Sequence, residues 1–151
     1  MKDIRQEDVC RAANISEKDF YAVIQREHEG NECFYKFSQE LGARLADTGE
    51  GARELFYNSI WRICYCFQLP AIIEPDIEVV RREMQSATML DGMIEHYEKK
   101  FDNLFALIFS LANKAEEEGK ITQEHGKIVF ANLIWVIRLI EVASLKKASL
   151  H

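Results

Sequence analysis

The chain contains few of the residues that interrupt helices. Only 2 prolines and 7 glycines occur in its 151 residues, and they fall at a few places between longer segments. Within those segments apolar residues recur every three or four positions, and no run shows the alternating pattern of a strand. This spacing predicts an all-α fold.

The chain also lacks an apolar leader and regularly spaced cysteines. It opens with MKDIRQEDV, and its four cysteines are unevenly distributed. We therefore expect a reduced, cytoplasmic protein. The most apolar stretch, residues 128–145, contains Asn132, Arg138 and Glu141 at roughly helical spacing. Polar residues in those positions favour a buried helix over a membrane span, so no membrane partner is expected.

An excess of basic residues is missing as well. The net charge is −6, with 25 acidic and 19 basic side chains. A chain with this balance has no bulk attraction for nucleic acid, so DNA must be contacted through a local patch. A chain of this length buries enough surface to fold without disulfides or a structural metal.

Common catalytic and metal-binding signatures are missing from the sequence. There is no His-Glu-x-x-His, no Glu-x-x-His pair, no glycine-rich phosphate loop and no Cys-x-x-Cys. We therefore expect no enzyme, no cofactor and no metal site. The best remaining metal candidates are Glu27, His28, Glu29, Glu32 and Cys33, for which an exposed acidic loop is the alternative.

Helical periodicity and capping residues divide the chain into segments. Two short helices are predicted within residues 4–24, and longer ones over 31–46, 51–68, 76–84, 90–118 and 122–147. Gly119 is a candidate C-cap, and Thr122 is placed to begin the last helix. Because the connector between the last two helices is short, we expect them to be antiparallel.

The first segment fills each position that a helix-turn-helix requires. Such a unit needs a small pair where its helices cross, a turn residue, an apolar plug, a cap and a closing apolar pair. In chain order these are Cys10 and Ala13, Asn14, Ile15, Ser16, and Phe20 with Val23 or Ile24. Asn14 is expected to adopt a left-handed conformation, and Ser16 to cap the second helix.

This run resembles the DNA-binding segment of the TetR family of one-component transcriptional regulators, which usually reads I-A-x-x-A-G-V-S-x-x-T-F-Y-x-x-F. The residues that match or substitute conservatively are Val9, Cys10, Ala13, Asn14, Ile15, Ser16, Phe20 and Tyr21. The acidic-Gly-x-apolar connector at residues 117–121 is also similar to that of the family. The resemblance implies a helix-turn-helix at residues 1–30, without the family's first helix, and a helical ligand-binding and dimerisation domain at residues 31–151.

The resemblance implies a ligand-responsive regulator, a repressor that binds double-stranded operator DNA as a homodimer. The implied DNA contacts are Arg5, Gln6, Ser16, Glu17, Lys18, Tyr21 and Arg26. Residues 4–24 nevertheless carry a net charge of −1, and Asp19 replaces a hydroxyl residue of the family. Both features predict weak phosphate binding with a shallow salt dependence. The alternative is a degenerate small-molecule sensor or dimerisation partner that has lost DNA binding.

The implied effector is a small apolar or aromatic molecule enclosed by the central helices. The candidate residues that bind it are Phe56, Tyr57, Ile60, Trp61, Cys64, Tyr65, Tyr97, Phe101 and Phe105, although core packing explains the same stripe. The candidate dimer interface comprises Ile108, Leu111, Ile128, Asn132, Trp135, Val136 and Leu139, with a core internal to one chain as the alternative.

The missing first helix leaves apolar residues of the helix-turn-helix without their usual cover. These residues are Ile4, Val9, Phe20 and Ile24. They must pack either on the rest of the chain or on a segment upstream of Met1.

Overall fold

The computed structural model describes residues 3–86 and 88–149, and within them all regular structure is α-helical. The helices are α1 (Gln6–Ala13), α2 (Glu17–Gly30), α3 (Glu32–Leu45), α4 (Glu50–Phe67), α5 (Glu74–Met84), α6 (Met89–Lys100), α7 (Asp102–Glu117) and α8 (Gln123–Ser149). The prediction of an all-α fold is confirmed.

Helix α8 is the central helix of the bundle. It contacts α3, α4, α5, α6 and α7, and each of residues 133–137 is at most 6% exposed. A helix that is apolar on every side requires a cover on every side, and here helices of the same chain supply it. By length and composition Gln123–Lys146 is also able to cross a membrane, but half of its most apolar window is buried inside the bundle.

The polar side chains of α8 are joined to neighbouring helices by a hydrogen-bonded network. Arg138 donates from Nε and Nη2 to the two carboxylate oxygens of Glu83 on α5, at 2.8 Å each. Its Nη1 donates to Oε1 of Glu141 at 2.7 Å. The same oxygen accepts the hydroxyl of Tyr97 on α6 at 2.8 Å. Burial, together with the bond to Glu141, raises the pKa of Tyr97. The network therefore ties α5 and α6 to one turn of α8.

The first two helices pack on the rest of the chain. Helix α1 contacts α4 and α7, and α2 contacts α3 and α4. Val9, Ala12 and Val23 are at most 6% exposed and belong to the same buried cluster as the bundle core. The partly buried residues packed against that cluster include Ile4, Phe20 and Ile24. The rest of the chain thus covers the residues that the sequence left without a cover.

Local capping residues behave as expected at three of four positions. The Ser16 Oγ accepts the Asp19 amide at 3.1 Å, and the Thr122 Oγ1 accepts the His125 amide at 3.1 Å. Gly119 follows α7 with φ of +73°. The prediction for Asn14 is wrong, because its φ is −107°. Its side chain instead donates to the carbonyl oxygen of Cys10 at 2.9 Å, which satisfies the helix end without a left-handed residue.

The helix predicted over residues 90–118 is interrupted at Phe101. This residue has φ of −126° and ψ of 46° and separates α6 from α7. Its ring is 1% exposed and packs edge-on against Phe67 of α4 at a centroid distance of 5.2 Å. The break allows both α6 and α7 to contact α8. Burial of one aromatic side chain therefore overrides the local helical pattern.

Replacing Arg138 by Met removes one partner of the Arg138–Glu83 pair, whose Glu83 side chain is only 16% exposed. We expect the free energy of unfolding, measured in urea, to fall by about 2–4 kcal/mol, because a buried carboxylate then lacks its counter-charge. The exposed Lys99–Glu95 pair provides the control, with side chains 77% and 74% exposed. Lys99→Met should change stability by less than about 1 kcal/mol. Equally small losses in both variants would contradict the structural role of the network.

Candidate functional site

The predicted DNA-contacting residues lie at the start of α1 and along α2. Ser16 is the exposed cap of α2, and Lys18 and Tyr21 lie on its outer surface, where Tyr21 is 61% exposed. Arg26 is held against the protein. Its Nε donates to Oε1 of Glu27 at 2.9 Å, and its Nη2 donates to the carbonyl oxygen of Cys64 at 3.3 Å.

The charge around these residues is predominantly negative. The guanidinium of Arg5 lies 3.5 Å from Glu7, and Gln6 contacts the sulfur of Cys10 at 3.8 Å. Glu17 is exposed beside Lys18. Helix α2 contains two basic and four acidic residues. Such a surface repels the phosphate backbone rather than attracting it.

Most of the residues predicted to line an effector pocket lie in the buried core. Seven of them are at most 4% exposed: Phe56, Ile60, Trp61, Cys64, Tyr97, Phe101 and Phe105. Tyr57 and Tyr65 are half-buried. Burial raises the pKa of the Cys64 thiol, so this residue is an unreactive core side chain.

The residues predicted to form a dimer interface are divided between core and surface. Ile108, Trp135, Val136 and Leu139 are at most 6% exposed. Leu111 and Asn132 are half-buried, and Ile128 is 43% exposed. Within this set, only Leu111, Asn132 and Ile128 therefore retain substantial solvent-exposed surface.

An apolar cleft of about 210 Å³ opens between α4, α7 and α8. Its apolar lining comprises Leu55, Ile108, Phe109, Ala112, Gly126, Val129, Phe130 and Leu133, and polar lining residues are Ser59, Asn113, Glu116, Gln123 and Lys127. Two of its aromatic rings, Phe109 and Phe130, lie 5.1 Å apart. Both rings contact the ring of Phe105, one of the predicted effector-binding residues, at centroid distances of 6.3 and 5.4 Å.

Ser59 lines this cleft, and its hydroxyl has no hydrogen-bond partner among the described residues. The residue is 1% exposed, and its Oγ makes no hydrogen bond with the described part of the chain. A buried polar group without a partner costs about 1–3 kcal/mol. The cleft therefore offers a mainly apolar surface and, among its polar lining residues, one buried hydroxyl that lacks a partner in the described part of the chain. A serine within an apolar helical stripe was the only sequence signal for this position.

A second cavity, of about 280 Å³, lies between α4, α7 and the connector after α7. Its most buried charge is Arg62, which donates from Nη1 to the carbonyl oxygen and side-chain oxygen of Asn58 at 3.0 and 3.2 Å. Its Nε is buried and has no hydrogen-bond partner among the described residues, and its Cζ lies 5.3 Å from the ring centroid of Phe20. Burial lowers the pKa of this guanidinium.

The metal candidates of residues 27–33 are engaged in other contacts. Glu27 pairs with Arg26, Glu32 pairs with Lys36 at 2.9 Å, and the ring of His28 lies 4.4 Å from that of Tyr35. Across residues 3–86 and 88–149, no three His, Cys, Asp or Glu side chains are arranged to hold a metal ion.

Comparison with known proteins gives no match: no protein-family model fits the chain, and no similar curated protein or solved structure was found. The apolar cleft between α4, α7 and α8 is the basis for the function proposed below.

The hydroxyl of Ser59 yields a direct stability prediction. Ser59→Ala should leave the free energy of unfolding unchanged or raise it by up to about 1 kcal/mol, because it removes an unsatisfied group. Ser38 is the matched control, since it is fully buried and donates to the Phe34 carbonyl oxygen at 2.9 Å. Ser38→Ala should cost about 0.5–1.5 kcal/mol. Equal losses in urea denaturation would show that Ser59 has a partner.

Proposed function

We propose that this protein is a small-molecule sensor whose ligand binds in the cleft between α4, α7 and α8. The observation that carries the proposal is the hydroxyl of Ser59, a residue that lines this mainly apolar cleft; the hydroxyl is buried and has no hydrogen-bond partner among the described residues. Small-molecule sites typically combine a mostly apolar lining with a few polar groups that fix orientation. The ligand is accordingly a small apolar or aromatic molecule with one hydrogen-bonding group.

The position of the cleft supports a sensing role. Its walls belong to α4 and α7, the two helices on which α1 packs. A ligand that changes the separation of α4 and α7 therefore changes the surface on which the N-terminal helix α1 packs. Such a ligand shifts the conformational equilibrium only by its difference in affinity for the two arrangements. The resemblance to the TetR family supports the same order of events, from effector to N-terminal segment.

A second candidate function is a ligand-responsive repressor that binds operator DNA as a homodimer. It is favoured by the exposure of α2, which begins at the Ser16 cap and presents Lys18 and Tyr21 to solvent. Among the predicted interface residues, Ile128 is the most exposed. The acidic balance of α2 opposes phosphate binding, which is why the sensor is placed first.

Indole tests the sensor proposal, because it combines an aromatic body with one N–H group. We expect indole to raise the melting temperature of the protein and to bind with a saturable fluorescence change. Ser59→Ala should weaken indole binding about 3- to 10-fold, the value of one hydrogen bond. Binding of benzothiophene, which has a similar shape and no N–H group, should be unchanged by the same substitution.

Steric block of the cleft provides the control for location. Ala112 on α7 lines the cleft, whereas Ala106 on the same helix is exposed and lies outside its lining. Ala112→Phe should abolish indole binding, and Ala106→Phe should leave it intact. Indole binding that survives Ala112→Phe would place the ligand elsewhere and refute the proposal.

The repressor proposal predicts a salt-dependent rise in fluorescence anisotropy with duplex DNA from upstream of the protein's own gene. Because α2 is acidic, we expect weak binding with a shallow salt slope. Lys18→Ala should weaken it further, whereas Lys99→Ala, at an exposed position of α6, should not. No change in anisotropy at low salt would refute the repressor proposal and leave the sensor as the remaining candidate.

A further inference from the structure

We propose that the cavity around Arg62 is a binding site for a small organic carboxylate. This cavity is distinct from the cleft at Ser59, so the inference does not depend on the proposed function. It is carried by a half-buried guanidinium that has no carboxylate partner in the described part of the chain and that lines a cavity with two further cations.

Within the described part of the chain, Arg62 lacks the counter-charge that the half-buried Arg138 and Arg81 have. Arg138 is paired with Glu83 at 2.8 Å, and Arg81 is paired with Glu40 at 3.1 Å. Among the described residues, the hydrogen bonds of Arg62 are with Asn58 and its ring contact is with Phe20. A charge removed from water without compensation is unfavourable. An anion in the cavity supplies the missing compensation.

The hydrogen bonds of Arg62 leave one edge of its guanidinium available. Nη1 is occupied by the two oxygen atoms of Asn58, whereas Nε is unsatisfied and no bond is formed by Nη2 within residues 3–86 and 88–149. The Nε and Nη2 donors of a guanidinium lie side by side and match the two oxygens of a planar carboxylate. Because Nε is buried, the ligand reaches it by a small movement of the Arg62 side chain toward the cavity.

The remaining lining residues suit an organic acid rather than a bare inorganic anion. Leu55, Leu111 and Ala115 form an apolar wall. Lys114 and Lys120 are the other cations, and the acids Glu54 and Glu118 also line the cavity. Lys120 pairs with Glu118 at 3.1 Å, which leaves Arg62 and Lys114 facing a single acid. The apolar wall accommodates the hydrocarbon part of the ligand, and the cations bind its carboxylate.

The proposal is tested by measuring binding by calorimetry and the melting temperature of the protein at constant ionic strength. The probes are benzoate, benzamide and inorganic phosphate. We expect saturable binding of benzoate with an increase in melting temperature, and no such effect of benzamide, which has the same ring but no charge. Equal binding of benzamide would show that the charge is irrelevant. Equal binding of phosphate would show a general anion site. Either result would overturn the proposal.

Substitutions on α4 locate the site. Arg62→Met should reduce benzoate affinity by about 10-fold or more, the effect of losing a charged hydrogen-bond partner. Arg53 is the matched control, because it lies on the same helix over an aromatic ring, with its Cζ 5.7 Å from the Tyr57 ring centroid, but outside the lining of the cavity. Arg53→Met should leave benzoate binding unchanged. Unchanged affinity in Arg62→Met would refute the assignment.

A measurement on the unmodified protein covers the case in which Arg62→Met fails to fold. The Nε–H signal of Arg62, assigned by comparison with Arg62→Lys, should shift on addition of benzoate in nuclear magnetic resonance spectra and stay in place with benzamide. A signal that benzoate does not move would exclude direct contact and overturn the proposal.

Discussion

The need to cover one helix on all sides governs this structure. The central part of α8 is apolar around its whole circumference, and residues 133–137 are almost completely buried. Five other helices of the same chain surround it. Because a helix in such a position must satisfy its polar side chains internally, Arg138 and Glu141 reach Glu83 and Tyr97 on two of the surrounding helices. Cover and polar network together fix where α5 and α6 lie.

The cover of α8 is incomplete near its N-terminal end, and the apolar cleft lies there. Ile128 is 43% exposed, and Phe109 on the facing part of α7 is 42% exposed. Further along, Val129 and Leu133 are buried but still line the cleft. The cleft is thus the place where one chain no longer supplies enough apolar surface to enclose its own central helix. A small apolar ligand stabilises such a place by completing the burial.

Most features set by neighbouring residues were predictable from the sequence, with Asn14 as the exception, whereas those set by packing were not. The caps Ser16 and Thr122 depend on groups a few positions away, and both were predicted correctly. The break at Phe101 depends on a pocket beside Phe67, thirty-four positions earlier, so the local pattern missed it. The resemblance implied an effector pocket at the aromatic stripe of α4, with core packing as the alternative, and most members of the stripe are buried. Ser59 and Arg62 can be recognised as candidate binding residues only from the fold, because whether a side chain finds a hydrogen-bond partner depends on all the helices packed around it.

The Ser59 hydroxyl and the Arg62 Nε, which have no hydrogen-bond partner among the described residues, belong to one stripe of α4. Leu55, Ser59 and Arg62 are spaced by four and three residues, which places them on the same side of a helix. Leu55 lines both cavities, and residues of α7 form the opposite wall of each. A ligand in either cavity therefore acts on the contact between α4 and α7. A ligand shifts a conformational equilibrium only by its difference in affinity for the two arrangements. Binding in one cavity is therefore coupled to binding in the other whenever both ligands favour a spacing of α4 and α7 that differs from that of the unliganded protein.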